Sequence, residues 1–280
     1  MTTQGCTAMS STTAKETPRR SRVPAHLFDR FREAFTFRLA DDEETRRRIF
    51  RLRHDVYCEE LGYEAPADPL HHLEFDAHDE HAILCLIEHR DTGLSAGCMR
   101  LVLPEDSRND GVQRLPLEDY AGDSLEHPRL HPQRFAQERV CEVSRLAISP
   151  LFRRRSTTEE IEGLLHARHA FTPEQRETFP LIVIGLFLAT YALLGLSGRP
   201  HAFAMMEPRL PRLLSMSGFL FTPVGRIIDF HGKRGAFYID QRQVEYEMNR
   251  DLMPLYRDIK RTLASQLEKA LPRQATPSLS

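Results

Sequence analysis

The stretch HAILCLIEHRDTGLSAGCMRLVLP, residues 81–104, contains two apolar runs separated by a short polar turn. The turn is Arg90-Asp91-Thr92-Gly93, and a glycine after polar residues is typical of a hairpin connection. The pattern therefore predicts two antiparallel strands, around which the remaining elements can be placed.

Strands and helices are predicted on both sides of this hairpin. Residues 34–40, AFTFRLA, alternate as a strand does, and Asp41 or Asp42 can cap a helix that runs to about Glu60. The polar, proline-containing segment 104–139 predicts a lid or substrate wall with a short helix near 117–120. Further on, the patterns predict a strand at 140–149, a capped helix from about 157, an apolar helix at 180–196, a strand at 201–206, a short helix that Gly218 ends, strands at 219–232 and 235–240 and an amphipathic helix at 243–271.

This order predicts an α/β fold with one mixed, mostly antiparallel sheet and helices on both faces. The first 22 residues are rich in Ser and Thr, end in the basic run PRRSR and have no apolar core. We therefore expect a disordered leader over 1–30, a single domain over 31–250, and an amphipathic helix with a polar tail over 251–280.

The composition is that of a soluble globular protein, with 41% hydrophobic and 28% charged residues. A formal net charge of −2 argues against general nucleic-acid binding. The five cysteines are scattered without a CxxC pair, which predicts neither a disulfide framework nor a zinc site and favours a cytoplasmic location. The apolar run at 179–196 is near the length of a membrane span, but a buried central helix is the expected structure.

A series of charged residues lies among apolar neighbours. On a helical wheel, Arg53 shares the apolar arc of Leu52 and Val56, so it needs an internal partner. Three carboxylates follow close together, those of Glu74, Asp76 and Asp79. Carboxylates that are packed together need cations nearby. Arg53 and Arg100 can supply the positive charge, and the ammonium group of a substrate is the functional alternative. An acidic surface loop is the simpler interpretation of the acids alone.

The strand VCEVSRLAIS, residues 140–149, contains a second set of polar residues. Glu142 and Ser144 point to one face of a regular strand, and Arg145 points to the other. A β-bulge would re-aim them and leave a backbone N–H free. Such an N–H can stabilise an oxyanion while the carboxylate takes a proton from an attacking amine, which is the chemistry of acyl transfer. A structural ion pair between Glu142 and Arg145 is the alternative.

Four histidines bracket the acids: His71, His72, His78 and His81. No pair of them has the HExxH spacing of a helical zinc site, so we expect no metal. The basic run Arg153-Arg154-Arg155 predicts either a solvated face or a docking site for an acidic partner, such as a carrier protein with its phosphopantetheine arm.

Taken in order, these residues resemble the N-acyl-homoserine-lactone synthases, the autoinducer synthases of the GNAT superfamily. The chain looks closer still to the PEP-CTERM/exosortase system-associated acyltransferases, a branch related to those synthases and to N-acyl amino acid synthases. The resemblance covers about residues 34–150. Its motifs are R-x-x-V followed by Phe or Tyr at Arg53 to Tyr57, an aromatic at Tyr63, E-x-D-x-x-D at Glu74, Asp76 and Asp79, G-x-x-R at Gly97 to Arg100, and E-x-S-R at Glu142 to Arg145.

The resemblance implies a GNAT-like (acyl-CoA N-acyltransferase) fold and transfer of a fatty acyl group from acyl carrier protein to the amine of a small, amino-acid-like acceptor. No cofactor is expected to be bound permanently. The resemblance places Glu142 near the reacting amine, and we expect catalytic roles for Glu142 and Ser144 and carrier-protein docking at Arg153 to Arg155. The resemblance also implies an acceptor site formed by Arg53, Tyr57, Tyr63, Glu74, Asp76, Asp79, Arg100 and Arg145.

Two departures from the family pattern bear on the substrates. Autoinducer synthases, whose acceptor is S-adenosylmethionine, usually carry Trp where Tyr63 stands. This chain has no Trp, which argues against S-adenosylmethionine as its acceptor. The run from Ser149 to Arg155 has no glycine for a pyrophosphate cradle, which agrees with an acyl-ACP donor. Two alternatives stay open: a true N-acyl-homoserine-lactone synthase, and a non-catalytic carrier-protein or membrane-surface binding module that uses the basic run and the terminal helix.

Overall fold

The computed structural model describes residues 23–104, 106–107, 111–112, 114–153, 171–215 and 217–270. The chain begins with α1 (Ala25–Ala34), β1 (Phe35–Leu39), α2 (Glu43–Arg53), β2 (Ala82–His89) and β3 (Ser95–Val102). It continues with β4 (Asp106–Ser107), β5 (Gly111–Val112), α3 (Pro116–Ala121), β6 (Val140–Ile148), α4 (Pro173–Thr178), α5 (Leu181–Leu196) and β7 (His201–Met206). The last elements are α6 (Leu210–Ser215), β8 (Thr222–Pro223), β9 (Ile228–Asp229), β10 (Lys233–Asp240), α7 (Gln241–Glu247) and α8 (Met253–Ala270).

The main sheet has the strand order β1-β2-β3-β6-β7-β10-β8, and β9 pairs with β10 outside this path. Every pair in it is antiparallel except β6 with β7, which run parallel. The predicted hairpin is the β2–β3 pair, whose turn is closed by the Gly93 N–H donating to the His89 carbonyl at 2.8 Å. The prediction of a mixed, mostly antiparallel sheet is confirmed.

Alternate residues of the sheet belong to two apolar layers. Leu84 and Leu86 pack with α2 on one face, whereas Cys85 and Ile87 pack with α5 on the other. The Asp42 carboxylate fixes the start of α2 by accepting the Thr45 N–H at 2.6 Å. Helices therefore cover both faces of the sheet, as expected.

The apolar run forms α5, whose residues are buried along most of its length. Among the described residues, no helix combines the length and the apolar character that crossing a membrane requires. The prediction of a buried central helix is confirmed.

Three predictions about element bounds are wrong. The leader was expected to reach residue 30, but α1 begins at Ala25 and buries Phe28 against the core. The predicted long strand at 219–232 is only the short pieces β8 and β9. The predicted terminal helix is broken into α7 and α8, because Asn249 accepts the Asp251 N–H and begins a new turn.

The terminal helix also belongs to the domain instead of standing apart from it. The helix α8 packs on α5 through the buried side chains of Leu255, Ile259 and Leu263. The predicted helix from about 157 lies outside the described residues, as do Arg154 and Arg155.

Candidate active site

The two parallel strands separate part-way along the sheet. They pair from Val140 with His201 to Val143 with Ala204, and β6 continues to Ile148 without a further partner in β7 among the described residues. A cavity of about 320 Å³ opens at this gap. Its apolar lining includes Val143, Leu146, Phe187, Ala204, Met206 and Leu210. The separated strands therefore offer an apolar slot beside exposed strand edge.

A β-bulge lies at the same level in β6. Cys98 pairs with Ala147 and Arg100 with Ser144, so that Arg145 and Leu146 together oppose the single residue Met99. Arg145 has a φ of 50°, in the left-handed region that residues other than glycine rarely adopt. The bulge that the sequence analysis considered as a way to re-aim these residues is present, and both Arg145 and Ser144 line the cavity.

Arg53 lies fully inside the protein, where it is paired with two carboxylates. Its Nε donates to Glu74, and its Nη1 donates to Asp79 at 2.6 Å. Burial opposes the charge on Arg53, but the neighbouring carboxylates of Asp79 and Glu74 outweigh it and raise the pKa of the guanidinium. Arg53 thus has the internal partners that its place on the helix requires.

Two further arginines share the same acids. Arg100 Nη1 lies 2.5 Å from Asp76 and 3.1 Å from Asp79. Arg145 donates from Nε to Glu74 at 3.1 Å and from Nη2 to Asp76 at 3.3 Å. Burial would raise the pKa of Asp76, but its hydrogen bond with Arg100 and the charge of that guanidinium lower it below its ordinary value. Asp76 is therefore ionised at neutral pH.

Six of the predicted site residues line the cavity: Tyr57, Tyr63, Arg100, Glu142, Ser144 and Arg145. Four more of the predicted residues lie behind its wall: Arg53, Glu74, Asp76 and Asp79. The side chains of Arg53, Glu74 and Asp79 are at most 3% exposed. A substrate in the cavity would not touch these three, which differs from the expectation of direct contact. Their contacts instead hold Arg100 and Arg145 in place.

Glu142 is buried at the edge of the cavity, 3% exposed. Its Oε2 accepts the Leu117 N–H at 2.7 Å, so the segment that was predicted to be a lid or wall contacts the candidate catalytic acid. Burial raises the pKa of Glu142 to about 8. A carboxylate with a pKa close to neutral pH is suited to accept and release protons during turnover.

Ser144 lies two residues further along β6 and also lines the cavity. Its Oγ accepts a hydrogen bond from Arg100 Nε at 3.0 Å. The hydroxyl hydrogen can therefore be donated to another acceptor, since Arg100 supplies only a donor. Tyr57 contacts the bulge, since its hydroxyl donates to the Leu146 carbonyl at 2.8 Å.

Part of the cavity wall consists of residues that were not predicted from the sequence. The missed residues include Glu64, Tyr120, Glu207, Phe230, His231 and Arg234. Three of them belong to the connection between β9 and β10 or to the start of β10. The only sequence signal there is the turn glycine in the run FHGKRG, and a turn signal does not say which part of the fold the turn covers.

Arg153, the described residue of the predicted docking run, does not line the cavity. Arg153 forms an ion pair with Glu60. The described residues contain one group whose ligand atoms lie within 4.8 Å of one another, as a metal would require: His54, Glu59 and His72. None of these three lines the cavity. Of the four histidines weighed from the sequence, only His72 belongs to this group.

A family model described as acetyltransferase (GNAT) domain matches residues 52–161, a segment that contains the bulged strand and the charged network. Over this segment the chain is similar to GNAT acetyltransferase domains. The prediction of an acyltransferase is confirmed at this level. No curated protein sequence matches the chain.

Solved structures that include acyl-homoserine lactone synthases have a similar fold. BjaI, a CoA-dependent acyl-homoserine lactone synthase with MTA, has a TM-score of 0.52 at 18% identity, over 79% of this chain and 90% of that chain. TofI, in a ternary complex with an inhibitor and MTA, gives 0.51 at 17%, over 75% and 96%. MesI, also CoA-dependent, gives 0.50 at 21%, over 79% and 95%. At these identities the likeness shows the fold, which is GNAT-like as predicted.

Proposed function

We propose that this protein is an N-acyltransferase that moves a fatty acyl group from the thioester of acyl carrier protein to the amine of a small, amino-acid-like acceptor. The observation that carries the proposal is the buried Glu142, which lies at the edge of a cavity formed where β6 and β7 separate. A proton acceptor, an arginine-bound hydroxyl and an apolar slot meet there, and each of them can serve acyl transfer from a thioester.

The acyl chain is proposed to lie in the gap between the strands. Phe187, Met206 and Leu210 give this part of the cavity an apolar wall, which removes a hydrocarbon chain from water. The thioester carbonyl then lies near Ser144 and the unpaired edge of β6. Either the Ser144 hydroxyl or a strand N–H can donate to the oxyanion as it forms.

The reaction is written with Glu142 as the general base. Glu142 takes one proton from the acceptor's ammonium group, directly or through water, and the neutral amine attacks the thioester carbonyl carbon. The C–N bond forms, the C–S bond breaks, and a second amine proton passes to the departing sulfur. The products are an amide and a free thiol, and Glu142 releases its proton to solvent.

The charged network behind the wall is proposed to position the groups that touch the substrates. Arg53 holds Glu74 and Asp79, and these acids in turn hold the arginines of the wall. Arg100 donates to Ser144 and so orients the hydroxyl next to the reacting carbonyl. Tyr57, Tyr63 and Arg145 complete the acceptor side of the cavity.

The donor and the cellular context are inferred from sequence features. The absence of glycine between Ser149 and Arg155 favours acyl-ACP over a donor that needs a pyrophosphate cradle, and the basic run there suits an acidic carrier protein. The motif resemblance supports a cytoplasmic role beside PEP-CTERM/exosortase systems. BjaI and MesI are described as CoA-dependent, so acyl-CoA is the donor to compare with acyl-ACP.

A second candidate is an N-acyl-homoserine-lactone synthase with S-adenosylmethionine as the acceptor. It is favoured by the stacked aromatic pair of Tyr63 and His231 at the cavity, whose ring centroids lie 4.8 Å apart and which could receive a flat ring. Release of methylthioadenosine during turnover distinguishes this candidate from the first.

The test replaces Glu142 by Gln and measures acyl transfer from a long-chain acyl-ACP to a pool of amino acids. Loss of a general base typically lowers turnover by about 10²- to 10⁴-fold. Glu138→Gln is the matched control, since Glu138 is exposed and does not line the cavity. Unchanged turnover in Glu142→Gln would remove Glu142 from the mechanism. Binding of acyl-ACP without product in the unchanged protein would favour a non-catalytic binding module.

A further inference from the structure

Three arginines line the cavity, and two of them are already neutralised. Arg100 and Arg145 are paired with the acids of the charged network. Arg234, in contrast, has no carboxylate within 4.0 Å among the residues that the structure describes, although Glu207 also lines the cavity. Within the described part of the chain, its guanidinium donates only to the neighbouring Lys233 carbonyl, at 3.0 Å. An unpaired guanidinium on a cavity wall is the natural partner for an anion.

Arg234 is held by contacts on the acceptor side of the cavity. It lies beside the tight turn between β9 and β10, in which the Phe230 N–H donates to the Gly232 carbonyl at 2.9 Å. His231, with a φ of 52°, stacks on Tyr63 with ring centroids 4.8 Å apart. The Arg234 guanidinium carbon lies 5.7 Å from the centroid of the same Tyr63 ring.

A second contact supports the turn. Phe230 packs against Tyr120 of α3 with ring centroids 4.9 Å apart, and both residues line the cavity. The turn is therefore braced against α3 and against the segment that follows α2. This bracing limits the freedom of Arg234 and lowers the entropy that it would lose on binding a ligand.

We propose that Arg234 binds the carboxylate of the acceptor, so that the enzyme selects amino acids with a free carboxylate over simple amines. The inference rests on the proposed function and deepens it. A guanidinium matches a carboxylate with two parallel N–H donors, which gives both affinity and orientation. An amino acid has an ammonium for Glu142 and a carboxylate for Arg234, and both of these residues line the same cavity.

The same chemistry would also suit the phosphate of the donor's pantetheine arm. Arg234 lines the cavity beside Tyr63 and Glu64, on the acceptor side, and this placement favours the carboxylate. The donor phosphate is therefore the alternative that the experiment must separate.

The experiment compares an amino acid with its primary amide as acceptors, in the unchanged protein, Arg234→Ala, Arg234→Lys and Lys233→Ala. Lys233 is an exposed cation beside Arg234 that does not line the cavity, and it serves as the matched control. We expect Arg234→Ala to raise KM for the amino acid by about 10- to 100-fold, as loss of a charge-assisted hydrogen bond does. KM for the amide and kcat should change little, Arg234→Lys should recover part of the loss, and Lys233→Ala should behave as the unchanged protein.

The donor is then varied between acyl-ACP and an acyl-pantetheine that lacks the phosphate. A rise in KM of Arg234→Ala for acyl-ACP, with acceptor KM unchanged, would overturn the inference in favour of the donor phosphate. Equal losses for the amino acid and its amide would overturn it as well, while the amide product would still support the proposed function. No product from the unchanged protein with any amine would refute the proposed function and the inference together.

Discussion

At the scale of single residues, Glu142 carries the chemistry because of where it is buried. Its carboxyl group accepts one backbone N–H and lies beside an apolar slot, and burial raises its pKa to about 8. Burial therefore makes the Glu142 carboxylate a stronger base than that of an exposed glutamate, and it lowers the fraction of Glu142 that is ionised at neutral pH.

The first prediction concerns the pH dependence of turnover. Only ionised Glu142 can accept a proton, so kcat/KM should rise with pH up to about 8, following the pKa of this group. The acceptor amine also titrates, and the residual activity of Glu142→Gln reports that contribution alone. A profile of the unchanged protein that coincides in shape with that of Glu142→Gln would assign the rise to the amine and contradict the prediction.

The second prediction follows from the same shift. The pKa of Glu142 is raised from 4.5 to about 8, so the folded protein binds more protons than the unfolded chain between these values. The free energy of unfolding should therefore fall as pH rises through this window, by at most ~1.4 kcal/mol per pH unit from this group. Glu142→Gln should flatten the slope in urea unfolding between pH 5 and pH 8. Equal slopes in the two proteins would show that Glu142 is not buried as described.

At the scale of elements, the charged network joins α2, the segment that follows it and the strands β3 and β6. Arg53 comes from α2, Arg100 from β3 and Arg145 from the bulge of β6. Each arginine shares a carboxylate with another, so a change at one of them reaches the cavity wall through the acids.

Arg53→Met should destabilise the protein by about 3–5 kcal/mol, because it leaves Glu74 and Asp79 buried without one of their cations. Activity should fall as well, since Arg100 loses part of its support. Arg51→Met is the matched control, since Arg51 lies on the exposed side of the same helix. Chemical unfolding measures the difference, and equal stabilities would mean that the acids are held without Arg53.

The gap between β6 and β7 is the second feature at this scale. Phe187→Leu should enlarge the apolar slot at the gap and shift the preferred acyl chain to a longer one. We expect kcat/KM to change by several-fold for each methylene added to the acyl chain. Phe219→Leu is the control, because Phe219 stacks on Phe187 with centroids 6.1 Å apart but does not line the cavity. A chain-length profile that is the same in all three proteins would place the acyl group elsewhere.

At the scale of the whole molecule, the sequence predicts features in which a local pattern determines the outcome. The hairpin β2–β3 and the central helix α5 follow from apolar periodicity and turn residues, and both are present. Arg53 could be singled out because it conflicts with the apolar neighbours on its helix, and a buried charge needs a partner. The three acids could be singled out because carboxylates that are packed together need cations.

What the sequence could not provide is the arrangement of distant segments. Asp76 and Arg234 are both charged, but only the fold places one behind the cavity wall and the other on it. Such features are set by tertiary contacts, which outweigh local propensity.

The proposed role of Glu142 is tested most directly by mass spectrometry of lipids from cells that overproduce the unchanged protein or Glu142→Gln. We expect a new N-acylated amino acid with the unchanged protein and its loss with Glu142→Gln, at equal protein levels. The same new lipid at the same level from both proteins would contradict the central claim that the buried carboxyl of Glu142 accepts the amine proton.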